Sequence, residues 1–319
     1  MKPSPKIRLI RPSTQAFFQE ARHTPGFSLF DLLHGYFYAR WPYFYIRVGT
    51  GEHPLVRRIR PILGWFGRFF PTRQRSTRSK PVAQTATFAD TYHGKVVPLQ
   101  AARELVTVGE EIRLPNLERV IPYRLARDII LQDPGHIVVL DCPCRAARAN
   151  PCQPLDVCLI VGEPFASFAS EHHPHRSRRI TSQEAIAILE AEDRRGHVHH
   201  AFFKDAMLGR FYAICNCCSC CCGAIQAHRN GTPMLASSGY VAQVSEELCL
   251  ACGVCADSCT FGAISVDELA MINTAICMGC GICLSQCAQG ALTLVQDESK
   301  GEPLEIFRLM DQASRLVRA

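Results

Sequence analysis

The sequence predicts an α+β protein: a small C-terminal domain built round two cysteine repeats, joined to a cysteine-rich α/β module and preceded by an aromatic and basic segment. Three observations predict this. Eighteen cysteines in 319 residues fall into two fields, 142–222 and 249–287, instead of scattering. Short apolar runs alternate with amphipathic stretches between residues 99 and 203. Aromatic residues crowd residues 27–70, and Pro71 to Ala86 then holds almost nothing apolar. The chain accordingly divides into an N-terminal segment with linker at 1–80, the α/β module at 87–235, the repeat domain at 240–296 and a helical tail at 297–319. An apolar fraction of 47% suffices to fill ordinary cores.

In the N-terminal segment, Phe27, Phe30, Tyr36, Phe37, Tyr38, Trp41, Tyr43, Phe44, Tyr45, Trp65, Phe66, Phe69 and Phe70 are interleaved with arginine. Asp31, His34, Arg40 and Arg47 break every apolar run short of the ~18 residues that a membrane-crossing helix needs. Two readings remain. Rings mixed with guanidinium groups suit a peripheral contact with a membrane interface. They equally suit an aromatic face packed on the rest of the chain, the commoner use of such residues. The net charge of +6 comes mostly from Arg57, Arg58, Arg60, Arg68, Arg73, Arg75, Arg78 and Lys80, a solvated face or a dock for an acidic partner or anionic lipid. No nucleic-acid motif accompanies them, so no nucleic-acid partner is expected.

In the module, Leu99 to Val106 and Pro122 to Leu131 read as helices, the second opening on proline. After the Asp133-Pro134-Gly135 turn, Ile137 to Leu140 reads as a buried strand, and Val157 to Val161 as another. Thr181-Ser182-Gln183-Glu184 is a capping box that opens a helix with Ala185, Ile186, Ile188 and Leu189 on its apolar face. Gly196 ends that helix, and a strand from Val198 to Phe203 follows.

Ten cysteines sit in loops after predicted strands, where a rigid element fixes ligand geometry. Cys142, Cys144, Cys152 and Cys158 form one group; Cys215, Cys217, Cys218, Cys220, Cys221 and Cys222 form the other. Four thiolates saturate one cubane, so ten allow two further clusters with two thiols to spare, or one cluster with a larger surplus. Adjacent Cys217 and Cys218 point apart in an extended chain and are expected to serve different sites. The favoured arrangement gives each group its own [4Fe-4S] cluster, with mixed ligand sets close behind and zinc as the competing metal. His199 and His200 are weak candidates for a role beside these thiols. Arg145 is a candidate for raising a cluster's potential by stabilising its reduced state, against a surface salt bridge.

The C-terminal runs, Cys249, Cys252, Cys255, Cys259 and Cys277, Cys280, Cys283, Cys287, each space three cysteines C-x2-C-x2-C with a fourth four residues on. This is an iron–sulfur spacing, not a zinc or disulfide one. Gly253, Gly279 and Gly281 supply the freedom to turn thiolates inward. With Gly262-Ala263-Ile264 and Gly290-Ala291-Leu292, residues 240–296 resemble a bacterial ferredoxin carrying two [4Fe-4S] clusters, departing from it where Thr260 and Ala288 replace a customary proline. The resemblance implies a ferredoxin-like dicluster fold in which Cys249, Cys252, Cys255 and Cys287 hold one cluster, and Cys277, Cys280, Cys283 and Cys259 the other. Upstream, the C-x-C-R and N-C-C-x-C-C-C segments resemble multi-cluster iron–sulfur proteins of anaerobic bacteria over residues 95–295, a resemblance that implies no particular reaction.

The start, Met1-Lys2-Pro3-Ser4-Pro5-Lys6, has no apolar run or cleavage site, which leads to an expected cytoplasmic setting, or the cytoplasmic face of a membrane. In a reducing compartment clustered cysteines bind metal. No G-x-G-x-x-G or G-x4-G-K-[ST] motif offers a nucleotide site. The expected function is therefore transfer of low-potential electrons between redox proteins or oxidoreductase subunits. The alternatives are an enzyme with an open-site upstream cluster and a cysteine-based redox or metal sensor.

Overall fold

A computed structural model describes residues 10–56, 58, 92–123 and 128–318, with side chains through 315. The Pro71–Ala86 linker, Trp65, Phe66, Phe69, Phe70 and all of the basic run except Arg58 lie outside the described residues. The described chain mixes helices and sheets in an α+β arrangement.

An eight-stranded sheet forms the centre. Its strands are β1 (Tyr92–Val96), β2 (Ile112–Leu114), β3 (Ile129–Asp141), β4 (Asp156–Glu163), β5 (Ser177–Ile180), β6 (Val198–Lys204), β7 (Arg210–Cys217) and β8 (Leu235–Ala236). The order is β2-β3-β4-β7-β6-β1-β8, with β5 also pairing β3. Every pairing is antiparallel except β1 with β8.

Side chains alternate across a strand, and here both faces are buried. Val138, Leu140, Ile160, Val198, Phe202 and Ala213 face one core; Ile137, Val139, Leu159, Ala201, Phe203 and Ile214 face the other. The second core is covered by α4 (Leu99–Thr107), by α7 (Ser182–Arg194) and by α11 (Ile306–Arg318), which returns from the C-terminus through Ile306 and Leu309. Thr181 and Glu184 cap α7 reciprocally, and Gly196 closes it at φ +75°.

The structure corrects the helix expected at 122–131. Residues 129–131 open β3 and pair with β2, with Ile129 opposite Leu114 and Leu131 opposite Ile112, while 124–127 lie outside the described residues. Ile129 and Leu131 bury alternately beside Ile130, a period-two pattern that outweighs the proline signal upstream. Asp133-Pro134-Gly135 is likewise a bulge within β3, with a register shift between Gln132 and Ile137 and Asp133 at φ +43°.

The first core is covered by α1 (Pro12–His23), α2 (Leu29–Arg40) and α6 (Phe165–His172), and α3 (Pro42–Gly49) follows α2. Ser28 and Asp31 form a capping box at the start of α2. At Gly35 this helix lies so close to the chain that an added Cβ would run into the Ala206 carbonyl oxygen. Tyr36 and Tyr38 pack inward, and the Tyr38 and Tyr212 hydroxyls meet at 2.8 Å. Leu29, Phe30, Leu33, Trp41 and Phe44 stay exposed on the outside. The helices thus present both an inward aromatic face and an outward apolar one. No helix among the described residues is long and apolar enough to cross a membrane.

The remaining small unit pairs β9 (Tyr240–Val244) with β12 (Leu292–Gln296) and β10 (Ile264–Val266) with β11 (Ala270–Ile272), all antiparallel. Two short helices, α9 (Val254–Ser258) and α10 (Ile282–Gln286), follow glycines at φ +81° and +85°. Two further short helices, α5 (Pro143–Ala146) and α8 (Gly223–Arg229), each start inside a cysteine segment.

Candidate metal centres

In the C-terminal unit the left-handed Gly253 and Gly281 turn each loop into its short helix, and Gly279, at φ +61°, lies against the Tyr240 carbonyl with no room for a Cβ. The thiols that result surround two cavities. Cys249, Cys252, Cys255 and Cys287 line one, of about 20 Å³. Cys259, Cys277, Cys280 and Cys283 line the other, of about 20 Å³. Each cavity thus takes three cysteines from one run and the last cysteine of the other run. The Ala263 amide donates to Cys259 Sγ at 3.3 Å. Burial, then the neighbouring Cys277, pushes the Cys283 thiol up to about 12, and burial pushes Cys280 and Cys255 up as well. Thiols crowded out of water favour the neutral form, and only a cation restores the thiolate.

The upstream cysteines come together differently from the expectation that each segment supplies its own site. Cys152 leaves its segment to join Cys218, Cys220 and Cys221, the four sulfurs all lying within 4.8 Å of one another. The other six form a linked buried or half-buried set: Cys215 meets Cys158, Cys158 meets Cys142, Cys142 meets Cys144, Cys144 meets Cys222, and Cys222 lies 3.2 Å from Cys217. Two strands bring this about. Cys158 on β4 and Cys215 and Cys217 on β7 face the first core, and the loops after β3 and β7 fold over them. Cys217 and Cys218 lie in different thiol groups, in keeping with the alternation of side chains along an extended chain. Contact with Cys144, joined by burial and opposed by contact with Cys158, leaves Cys142 raised to about 12, and contact with Cys142 and Cys215 pushes Cys158 up.

The six-thiol set forms one wall of a cavity of about 100 Å³. Tyr38, Tyr92, Tyr212, Phe165 and Phe202 wall the rest. Burial raises all three tyrosines, so each keeps its phenolic proton.

Arg145 is no surface residue: it is 1% exposed. Its guanidinium donates to Glu192 Oε2 at 2.5 Å, to the Pro154 carbonyl at 2.6 Å and to the Asn216 carbonyl at 3.0 Å. It therefore ties the first cysteine segment, the second and helix α7 at one point. Burial would push Glu192 up, but His197 and Arg145 hold it below the ordinary carboxylate value. His199 binds the Asn216 side chain at 2.6 Å. His200 sits opposite Cys215 in register, is fully buried with no hydrogen-bond partner among the described residues, and is lowered to about 3, chiefly by burial.

Sequence reasoning missed Glu192, His197, Asn216 and the tyrosine wall. The Asn216 signal, a polar residue inside a cysteine run on a strand, was visible; Glu192, on the far end of α7, carried none.

The sequence profile of the 4Fe-4S binding domain family matches residues 242–265, which contain Cys249, Cys252, Cys255 and Cys259. No curated protein and no solved structure matches the chain. The match and the cysteine clusters support iron–sulfur binding with at least one [4Fe-4S] cluster.

Proposed function

We propose that the protein is an iron–sulfur electron-transfer protein or subunit, carrying low-potential electrons between redox partners. The observation that carries this reading is the pair of separate four-thiol cavities in the C-terminal unit. Cys249, Cys252, Cys255 and Cys287 would hold one [4Fe-4S] cluster and Cys259, Cys277, Cys280 and Cys283 the second, in a ferredoxin-like dicluster arrangement. Cys142, Cys144, Cys158, Cys215, Cys217 and Cys222 would hold a further iron–sulfur centre. When bound, such clusters supply one-electron exchange with little rearrangement.

The chain's own residues supply the connection and the ports. Cys280, Phe261, Met278 and Ile282 pack in the same apolar core as Cys142, Cys158, Cys217 and Cys222, so the two thiol fields share one water-poor wall. Leu248, Leu250 and Val254, at 49%, 68% and 44% exposure, flank the first C-terminal run and form an apolar docking rim for a redox protein or oxidoreductase subunit. The exposed Leu29, Phe30, Leu33 and Phe44 form a second outward surface, suited to a peripheral membrane contact. The test is a stepwise reductive titration of anaerobically purified protein followed by electron paramagnetic resonance. At least two one-electron reductions are expected at low potential; a chain that accepts no electrons contradicts the proposal.

A second reading draws on the cavity of about 100 Å³ beside the six-thiol set, which is larger than the C-terminal cavities of about 20 Å³ each. Under it the protein is an iron–sulfur enzyme that admits an apolar molecule against the tyrosine wall. A change in the upstream spectra when small exogenous ligands are added supports that reading, and indifference to them favours pure electron transfer.

A further inference from the structure

The tetrad Cys152, Cys218, Cys220 and Cys221 is spaced unlike the other thiol groups. Its four sulfurs lie within 4.8 Å of one another, with Cys152 2.9 Å from Cys220 and Cys220 3.6 Å from Cys221. Four thiolates at ~2.3 Å from one tetrahedral ion stand ~3.8 Å apart. A cubane sets an iron behind each thiolate, with sulfide between the irons, and holds the ligands wider. Among the described residues such close approach of three or more ligand atoms recurs only at Asp133, His136 and Glu163, and in neither C-terminal tetrad.

The backbone carrying these thiols is pinned at three successive carbonyls. Arg229 donates to Ser219 O at 3.4 Å, Gln226 to Cys220 O at 2.7 Å and Arg148 to Cys221 O at 3.2 Å. Arg148 is itself held by Glu52 at 2.7 Å and by Gln226 at 2.6 Å. A loop fixed this way presents its sulfurs already converged, the support that a metal site needs from its surroundings. The two arginines also bring positive charge to a site whose four thiolates outweigh a divalent ion by two negative charges.

We propose that Cys152, Cys218, Cys220 and Cys221 bind one tetrahedral divalent ion of the zinc type, with no sulfide, which clips the loop after β3 to the loop after β7. With it all eighteen cysteines of the chain have a place: eight in the two C-terminal cavities, six beside the tyrosine-walled cavity and four here. Cys220 is exposed and Cys152 half-buried, while Cys218 and Cys221 are buried, so the site reaches the surface on one side. Its role is structural, since four protein ligands leave no open position.

The experiment compares the full-length protein with Cys152→Ser and Cys220→Ser, all purified anaerobically, by zinc, iron and sulfide determination. One zinc per chain is expected in the parent and a loss of at least tenfold in either variant, with iron, sulfide and the C-terminal resonance signals unchanged. Protein produced with cobalt in place of zinc is expected to show the ligand-field absorption of tetrahedral cobalt thiolate, and to lose it in both variants. Loss of about four iron and four sulfide from the variants, or retention of all metal in both, overturns the proposal. The C-terminal clusters serve only as an internal reference in this comparison, and their presence or absence decides a separate question.

Discussion

The Arg145 guanidinium and the Glu192 carboxylate meet at 2.5 Å with both side chains 1% exposed, and Arg145 also holds the carbonyls of Pro154 and Asn216. One buried cation therefore joins two cysteine segments that lie some seventy residues apart in sequence to the helix behind them. A buried pair of this kind has its main effect when broken, because the surviving charge is stranded out of water.

Arg145→Met is accordingly expected to cost about 3–5 kcal/mol in stability. It should also cut upstream metal content while the C-terminal signals persist. Glu192→Gln, which keeps the shape and some of the hydrogen bonding, should cost less. Denaturation under anaerobic conditions, with metal analysis of the folded fraction, measures both. Equal losses upstream and downstream would show that Arg145 acts on the whole fold and not on the cysteine segments.

Gly279→Ala is expected to disable the cavity formed by Cys259, Cys277, Cys280 and Cys283. An added Cβ meets the Tyr240 carbonyl and the Ser238 hydroxyl, and φ +61° strains any side chain there. Iron content should fall by about four per chain, the complement of one cubane. Gly262→Ala serves as the comparison, since its φ of +67° carries similar strain but nothing lies within 4 Å of the new atom.

Lys95 gives the protein a pH dependence on the alkaline side. Its side chain is 1% exposed and donates to the Glu302 carbonyl at 2.9 Å, and burial lowers it from 10.5 to about 7. Between those values the unfolded chain holds a proton that the folded chain has released, so stability rises with pH across the window. It is lost again as pH falls towards 7. Lys95→Met should remove a slope of up to about 1.4 kcal/mol per pH unit and be more stable than the parent at pH 7. Chemical denaturation of both proteins from pH 7 to 10 gives the difference, in which thiol titrations shared by the two cancel.

Local patterns in the sequence made much of this legible, and long-range ones did not. The 4Fe-4S match falls on the first C-terminal run, whose ligand spacing lies within eleven residues. The capping box at Thr181 and the strand at Val198 are equally local. The meeting of Cys152 with Cys218, Cys220 and Cys221 is not: it depends on β3, β4 and β7 lying side by side, which no spacing within either segment encodes. The helix expected at 122–131 failed because Ile129 to Leu131 was judged by its opening proline and not by its period of two. Arg145 was legible as a special residue, yet its buried partner Glu192 lies 47 residues on, at the end of a helix whose cap says nothing of its last turn.

The most direct measurement is iron and acid-labile sulfide in the full-length protein isolated without oxygen. Two cubanes in the C-terminal cavities call for about eight iron and eight sulfide per chain, and the six-thiol centre raises the total to about twelve or more. Colourless protein without sulfide, its thiols holding only zinc or paired as disulfides, would contradict the account.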